Sequence, residues 1–153
     1  MPLDTYDKAI LNALQKDGRI SNKSLAELVN LSESACLRRV RALEEEGMID
    51  RYVALVSQAN AGLPGDVWVS IGLHREEDSE LAAFEEAVRS IPEVMECFLM
   101  TGEFDYLLRV VVSDMADFER IHKQSLTRLP GVARVNSSVA IRTVQKKTEL
   151  PLR

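Results

Sequence analysis

The chain has 153 residues, 46% of them hydrophobic and 28% charged, a length and composition that fit one domain or two small ones in a soluble protein. No apolar run of about 18 residues is present, so no transmembrane helix is expected, and the first residues lack the apolar core of a signal peptide. The formal net charge of −5 argues against indiscriminate nucleic-acid binding, although a specific DNA-binding protein needs only a local basic stripe.

Three helices are predicted within residues 1–57. Apolar residues at helical spacing predict the first helix over residues 4–16, with Asp4 as its N-cap. A second helix is predicted to begin near Asn22, with the Ser21 hydroxyl as its cap. A third helix follows it, and three helices in this order form a compact unit that leaves the third one exposed.

The second and third helices have the pattern of a helix-turn-helix. Asn30 lies at the turn, where a short polar side chain tolerates the left-handed conformation. Ser32 is expected to cap the third helix and Gly47 to end it. The outer face of that helix carries Ser34, Arg38 and Arg41, with Arg39 beside them. Such a face favours reading of the DNA major groove; the alternative is a helical hairpin with a solvated basic face.

The predicted DNA contacts are of two kinds, base contacts and phosphate contacts. Ser34 and Arg38 are expected to approach base edges, and Arg39 and Arg41 to reach phosphates. For Arg39 a salt bridge to nearby acids is an equal alternative. Lys23 and Ser24, at the start of the second helix, are placed to contact the DNA backbone. The predicted interface therefore comprises Lys23, Ser24, Ser32, Ser34, Arg38, Arg39 and Arg41.

A turn-rich segment, residues 58–66, is predicted to link this unit to a second domain formed by residues 67–153. The second domain has the element order β-α-β-β-α-β, with strands predicted at 67–73, 94–100, 106–112 and 132–144. Two βαβ units with right-handed crossovers give a four-stranded antiparallel sheet with both helices on one face, the ferredoxin-like arrangement. The predicted fold class is therefore α+β, with a winged helix-turn-helix domain followed by a ferredoxin-like domain.

The face of this sheet that carries no helix is expected to be apolar. Residues such as Trp68, Phe98 and Met100, or their alternates along the strands, would lie on it. A bare apolar sheet face favours association with a partner, most simply a second copy of the chain.

The order of these elements resembles the Lrp/AsnC family, the leucine-responsive or feast/famine transcription regulators. The resemblance covers nearly the whole chain, from Leu3-Asp4 with Asp7 onward. Its motifs are LQKDGRIS at residues 14–21, LS at 31–32, CLRRVRALE at 36–44, GMI at 47–49, TGEFDYLL at 101–108 and LPGV at 129–132. The resemblance implies a dimer, often assembled to an octamer, in which small effectors, usually amino acids, bind at interfaces between the C-terminal domains.

The resemblance also places the effector site on the loop after the second strand and on the last strand. The implied residues are Thr101, Gly102, Glu103, Phe104, Asp105, Tyr106, Ser137 and Ser138. Physically, a glycine turn lets backbone N–H groups approach a ligand carboxylate, and Glu103 or Asp105 is suited to pair with a ligand ammonium. The alternative is that Gly102 only makes the turn and the acids are solvated.

The function expected from these features is sequence-specific, effector-responsive transcription regulation in the cytoplasm. An architectural DNA-binding protein without an effector is the alternative, since it would share every DNA-site residue. An enzyme is not expected, because His74 and His122 lie in no carboxylate constellation or metal-spaced cluster, and no cofactor or metal is predicted beyond the effector. Cys36 and Cys97 are expected to be small core residues.

Overall fold

The computed structural model describes residues 2–152, and the chain divides into two compact units. The first unit contains the residues up to Leu55 together with the segment from Val144 onward, and the second unit is Val56–Thr143. This grouping differs from the predicted second domain of residues 67–153, because the segment after Thr143 packs with the N-terminal helices.

The first unit is built on three helices, α1 (Thr5–Lys16), α2 (Asn22–Val29) and α3 (Glu33–Glu45). Each begins at the predicted cap, since side-chain oxygens of Asp4, Ser21 and Ser32 accept hydrogen bonds from backbone N–H groups of the first turns. Asn30 has φ 57° and ψ 47°, the left-handed conformation predicted for the turn. The helices bury one apolar core that comprises Ile10, Leu11, Leu25, Ala26, Val29, Cys36 and Leu43.

The segment after α3 is irregular and exposed. Residues 50–56 form no strand, so no wing pairing occurs there within the described residues. Tyr52 instead donates a hydrogen bond from its hydroxyl to the carboxylate of Glu44 at 2.9 Å. This contact holds the exit of the chain against the last turn of α3.

The second unit contains β1 (Gly65–Leu73), α4 (Asp78–Arg89), β2 (Val94–Leu99), β3 (Tyr106–Val112), α5 (Met115–Gln124) and β4 (Val132–Val139), with a short 3₁₀ turn between α5 and β4. The strands form one antiparallel sheet in the order β2-β3-β1-β4. The α+β, ferredoxin-like prediction is thereby confirmed. Three strand limits were wrong: β1 begins inside the predicted linker, β2 ends at Leu99 rather than at Met100, and β4 ends at Val139 rather than at Val144. After Thr143 the chain continues into the first unit.

The two faces of the sheet differ as alternation predicts. Side chains of β1 and β3 that point to the helices are fully buried, and they pack with α4 and α5 around Phe84, Phe118 and Ile121. On the opposite face Phe98 is 48% exposed and Met100 43% exposed, as predicted. Arg109 lies there as well, ion-paired with Asp66 at 2.7 Å and with Glu96 at 2.6 Å.

Candidate DNA and effector sites

The outer face of α3 presents three of the predicted DNA contacts together. Ser34, Arg38 and Arg41 are all exposed, and their spacing of four and three residues places them along one stripe of the helix. They line an open groove of about 370 Å³ along α3 together with Leu37, Ala42 and Glu45. Neither arginine forms an ion pair with a described residue, so both guanidinium groups are available to an external anion or base edge.

The N-termini of α2 and α3 are held beside one another. The side-chain amide of Asn22 donates to the backbone carbonyl of Glu33 at 2.9 Å and so joins the first turns of the two helices. Ser32 accepts the Ala35 N–H at 3.2 Å, which makes Ser32 a cap whose hydroxyl keeps some capacity for an outside partner. Lys23 and Ser24 are both exposed on the first turn of α2. Helix N-termini attract phosphate, so this arrangement suits the sugar–phosphate backbone.

Among the cationic residues predicted to contact DNA, Arg39 is the one whose side chain forms ion pairs with described residues of the first unit. Its guanidinium donates to the carboxylates of Asp4 at 2.7 Å and Asp7 at 2.8 Å, and it lies 5.3 Å from the ring centroid of Tyr6. These hydrogen bonds raise the pKa of Arg39, the bond to Asp4 most of all. Asp7 is only 4% exposed, so Arg39 neutralises a buried charge. The geometry favours the salt-bridge alternative over a phosphate contact for Arg39.

The loop between β2 and β3 is held in place by Asp105. Its carboxylate accepts the Leu73 N–H at 2.6 Å, and its own N–H donates to the carbonyl of Ile71 at 2.9 Å. Gly102, at the tip, has a φ of +114°, which residues with a Cβ rarely adopt. Asp105 therefore serves to anchor the loop to the end of β1, a structural task that its sequence position did not reveal.

An arginine outside the predicted site residues lies against this loop. The guanidinium of Arg134, on β4, contacts the Phe104 ring at 4.9 Å from its centroid. It also donates to the backbone carbonyl of Glu103 at 3.2 Å and lies 3.4 Å from the Glu103 carboxylate. One feature of the sequence could have identified Arg134: it is the single cation in a strand of mostly apolar and small residues, VARVNSSV.

The remaining predicted effector residues do not join this cluster. Tyr106 is 1% exposed; its ring stacks on Phe84 at 4.3 Å and its hydroxyl donates to Glu85 at 2.8 Å. Burial, more than the bond to Glu85, raises the pKa of Tyr106. Ser137 and Ser138 are exposed on β4, opposite Val69 and Trp68, and lie about 10–13 Å along the strand from Arg134.

Other kinds of site find no support in residues 2–152. These residues contain no group of three or more histidine, cysteine, aspartate or glutamate side chains placed to hold a metal ion. None of their helices has the length and apolar character needed to cross a bilayer. Cys36 is buried as expected, whereas Cys97 is only partly buried, and both thiols are free. Burial raises the pKa of Cys97 to about 11, which keeps it protonated and unreactive near neutral pH.

Comparison with known proteins explains why these two sites occur on one chain. The Lrp/AsnC ligand binding domain matches residues 66–150, and a winged helix-turn-helix DNA-binding domain matches residues 3–50. The chain belongs to the Lrp/AsnC family. As a member of this family it is a transcription regulator with a DNA-binding domain and a ligand-binding domain, and not an enzyme.

Relatives of this Lrp/AsnC regulator match it over nearly the whole length. The Bkd operon transcriptional regulator of Pseudomonas aeruginosa is 43% identical over 98% of each chain. The leucine-responsive regulatory protein of Escherichia coli K12 is 40% identical over 99% of this chain and 92% of its own. A transcriptional regulator of Neisseria meningitidis, solved in complex with L-Met, is 37% identical, covers 98% of this chain and 97% of its own, and superposes with a TM-score of 0.93.

Proposed function

We propose that this Lrp/AsnC regulator recognises a specific operator through α3 and changes its DNA binding when an amino acid binds its second unit. Ser34 and Arg38 contact base edges in the major groove, and Arg41, Lys23, Ser24 and Ser32 contact the sugar–phosphate backbone. The observation that carries this proposal is the exposed stripe of Ser34, Arg38 and Arg41, whose two arginines have no ion-pair partner among the described residues. Arginine is the residue that most often reads guanine in the major groove.

The operator is accessible to a direct experiment. Repeated selection of bound duplexes from a randomised pool by the full chain is expected to enrich one motif, which is then compared with its scrambled version at two salt concentrations. A specific regulator binds the enriched duplex at least about 10³-fold more tightly than the scrambled one. Equal affinities for the two duplexes would contradict sequence-specific recognition and favour the architectural alternative.

The amino-acid effector is proposed from the relatives and from the loop. One solved relative holds L-Met, and others are named as leucine-responsive. The loop of residues 101–105 of this chain combines a glycine turn, an exposed acid and a nearby guanidinium, a set that suits a zwitterion. A thermal-shift panel of the common amino acids at millimolar concentration is expected to raise the melting temperature with one or a few of them. No shift with any would favour an effector-free architectural protein.

The amino acid is proposed to change DNA binding by changing the oligomeric state of the protein. The sheet face that bears Trp68, Phe98 and Met100 carries no helix of its own, and a second copy of the chain is proposed to cover it, with dimers assembling further to an octamer. An effector with different affinities for two assemblies shifts their ratio, and assembly sets how many helix-turn-helix units engage one DNA at once. Sedimentation velocity with and without the amino acid tests this, since an unchanged monomer in both conditions would contradict it.

A further inference from the structure

The side chain of Arg134 reaches the loop of residues 101–105 because Gly72, its neighbour on β1, has no side chain to block it. The two residues face each other across the β1–β4 pair, and Gly72 is buried. A Cβ built on Gly72 would lie 3.2 Å from Nε and 3.5 Å from Cβ of Arg134. The side chain of Arg134 therefore crosses β1 where β1 has no side chain, and its guanidinium ends at the loop of residues 101–105.

The guanidinium of Arg134 has three contacts in this loop. Two of them orient it, and the third is a weak ion pair. The Phe104 ring supports its plane, with 4.9 Å between Cζ and the ring centroid, and the Glu103 carbonyl accepts a hydrogen bond from Nη2 at 3.2 Å. The carboxylate of Glu103 is the third partner, at 3.4 Å, and its side chain is 76% exposed while that of Arg134 is 56% exposed. A solvent-exposed ion pair of this length is easily replaced by another carboxylate.

The carboxylates of Asp105 and Glu103 differ in how firmly the structure holds them. Asp105 accepts the Leu73 N–H at 2.6 Å and anchors the loop to β1, so releasing it would loosen the site. Among residues 2–152, the carboxylate of Glu103 pairs only with Arg134. A carboxylate that displaces Glu103 from Arg134 leaves the Glu103 side chain beside the incoming molecule, where it is placed to pair with a positive charge.

We propose that Arg134 binds the α-carboxylate of the amino-acid effector and that Glu103, displaced from Arg134, binds the α-ammonium group. This assignment rests on the proposed function of the loop as the effector site, and it adds the specificity-determining residue for the carboxylate. A guanidinium presents parallel N–H donors that match a carboxylate, and its support by Phe104 reduces the side-chain entropy lost on binding.

The test compares amino acids with their carboxamides, which keep the ammonium and the side chain but lack the carboxylate. The full chain and its Arg134→Gln and Arg134→Lys variants are titrated calorimetrically with L-methionine, L-methioninamide, L-leucine and L-leucinamide. Arg142→Gln is the matched control, since Arg142 is an exposed arginine beyond the end of β4. Melting temperatures without ligand show whether each variant is folded.

The wild-type chain and Arg142→Gln are expected to prefer the amino acid over its amide by about tenfold or more. Arg134→Gln is expected to lose that preference while it remains folded, and Arg134→Lys to retain part of it. If the wild type prefers the amino acid and Arg134→Gln keeps the same preference, the role of Arg134 is overturned while the proposed function stands. If the wild type binds none of the four molecules, the proposed amino-acid response fails, and the role of Arg134 fails with it.

Discussion

The side chain of Gln15 forms two hydrogen bonds with the backbone of Leu150. Its amide oxygen accepts the Leu150 N–H at 2.6 Å, and its amide nitrogen donates to the Leu150 carbonyl at 3.2 Å. One glutamine of α1 thus pairs with the C-terminal segment as a neighbouring strand would. Two residues further on, Leu152 packs against the helical core.

Because of this contact, two segments of the chain connect the helix-turn-helix unit to the second unit, and not one. The polypeptide enters the second unit after Leu55 and returns to the first unit after Thr143, so the docked tail provides a second covalent connection. The tail and α1 together line an open pocket of about 430 Å³, with Asn12 and Lys16 on the helix and residues 146–152 on the tail. We expect the tail to open locally more readily than the helices it covers.

Replacing Gln15 should release the tail without unfolding the helices. Gln15→Ala removes both hydrogen bonds to Leu150, and the loss of stability should be about 0.5–1.5 kcal/mol for such a partly exposed pair. Hydrogen exchange measured by mass spectrometry should show faster exchange across residues 146–152 and little change in α2 and α3. Gln124→Ala, at the end of α5 in the other unit, is the matched control. Equal exchange of the tail in Gln15→Ala and the wild type would contradict this role of Gln15.

Arg38 and Lys23 should differ in what their loss does to DNA binding. Arg38→Ala should reduce the preference for the selected operator over its scrambled version by about 1–3 kcal/mol, because a bidentate contact to guanine discriminates between bases. Lys23→Ala should weaken both duplexes alike and lower the slope of log affinity against log salt by about 1, because a phosphate contact carries no sequence information. Fluorescence anisotropy with both duplexes over a salt series measures each quantity.

The control for these two variants is Lys8→Ala, a lysine on α1 outside the α3 stripe and the α2 N-terminus. It should leave both affinities and the salt slope close to those of the wild type. Should Arg38→Ala weaken the operator and the scrambled duplex equally, the base-reading role of Arg38 is wrong and it belongs with the phosphate contacts.

The first turn of α1 should make the first unit sensitive to acid. The pKa of Asp4 lies below its ordinary value of 3.8, first because its carboxylate accepts the Asp7 N–H and then because Arg39 pairs with it. A carboxyl group whose pKa is lower in the folded state stabilises folding when ionised. Its contribution is therefore present above about pH 4 and is lost as the pH falls through the folded pKa. The protection factors of the α1 amides, which correct for the intrinsic exchange rates, should therefore fall from pH 5 to pH 3.

Asp4→Asn tests this assignment, because an amide keeps the shape of the side chain but has no charge to lose. The variant should melt at a lower temperature near pH 7, and the gap to the wild type should narrow toward pH 3. Asp50→Asn, an exposed carboxylate after α3, is the control and should follow the wild-type profile. A gap between Asp4→Asn and the wild type that is the same at pH 7 and pH 3 would show that ionisation of Asp4 is not involved.

Much of the fold was predictable because local signals and periodicity agree. Ser21, Ser32 and Asp4 are residues whose side chains cap helices, and each does so here. The alternation in β1 predicted which of its side chains are buried. The tail was not predictable, because Gln15 and Leu150 are 135 residues apart in sequence and nothing local to either one indicates the other.

The site was predictable only in part for the same physical reason. The stripe of Ser34, Arg38 and Arg41 follows from helical spacing, which is local. The role of Asp105 depends on the Leu73 N–H, and that of Arg134 on the absence of a side chain at Gly72. Both of these roles depend on contacts between residues that are distant in sequence. Such contacts cannot be inferred until the order of the strands in the sheet is known.

Gly72 should control the effector response through Arg134 alone. Gly72→Ala places a methyl group about 3.2 Å from Nε of Arg134, which is close enough to displace the flexible arginine without forcing the backbone of β1 to move. Stability should change by less than about 1 kcal/mol, since replacing glycine by alanine in a strand interior favours folding by roughly 0.5–1 kcal/mol and offsets the contacts that the displaced arginine loses. The preference for an amino acid over its amide should fall several-fold. Calorimetric titration measures the preference, and thermal melting measures the stability.

The control is Gly62→Asn, at a surface position with φ +79° and nothing within 4 Å of a built Cβ. An undiminished preference in Gly72→Ala would mean that the path of Arg134 over β1 does not matter for effector binding.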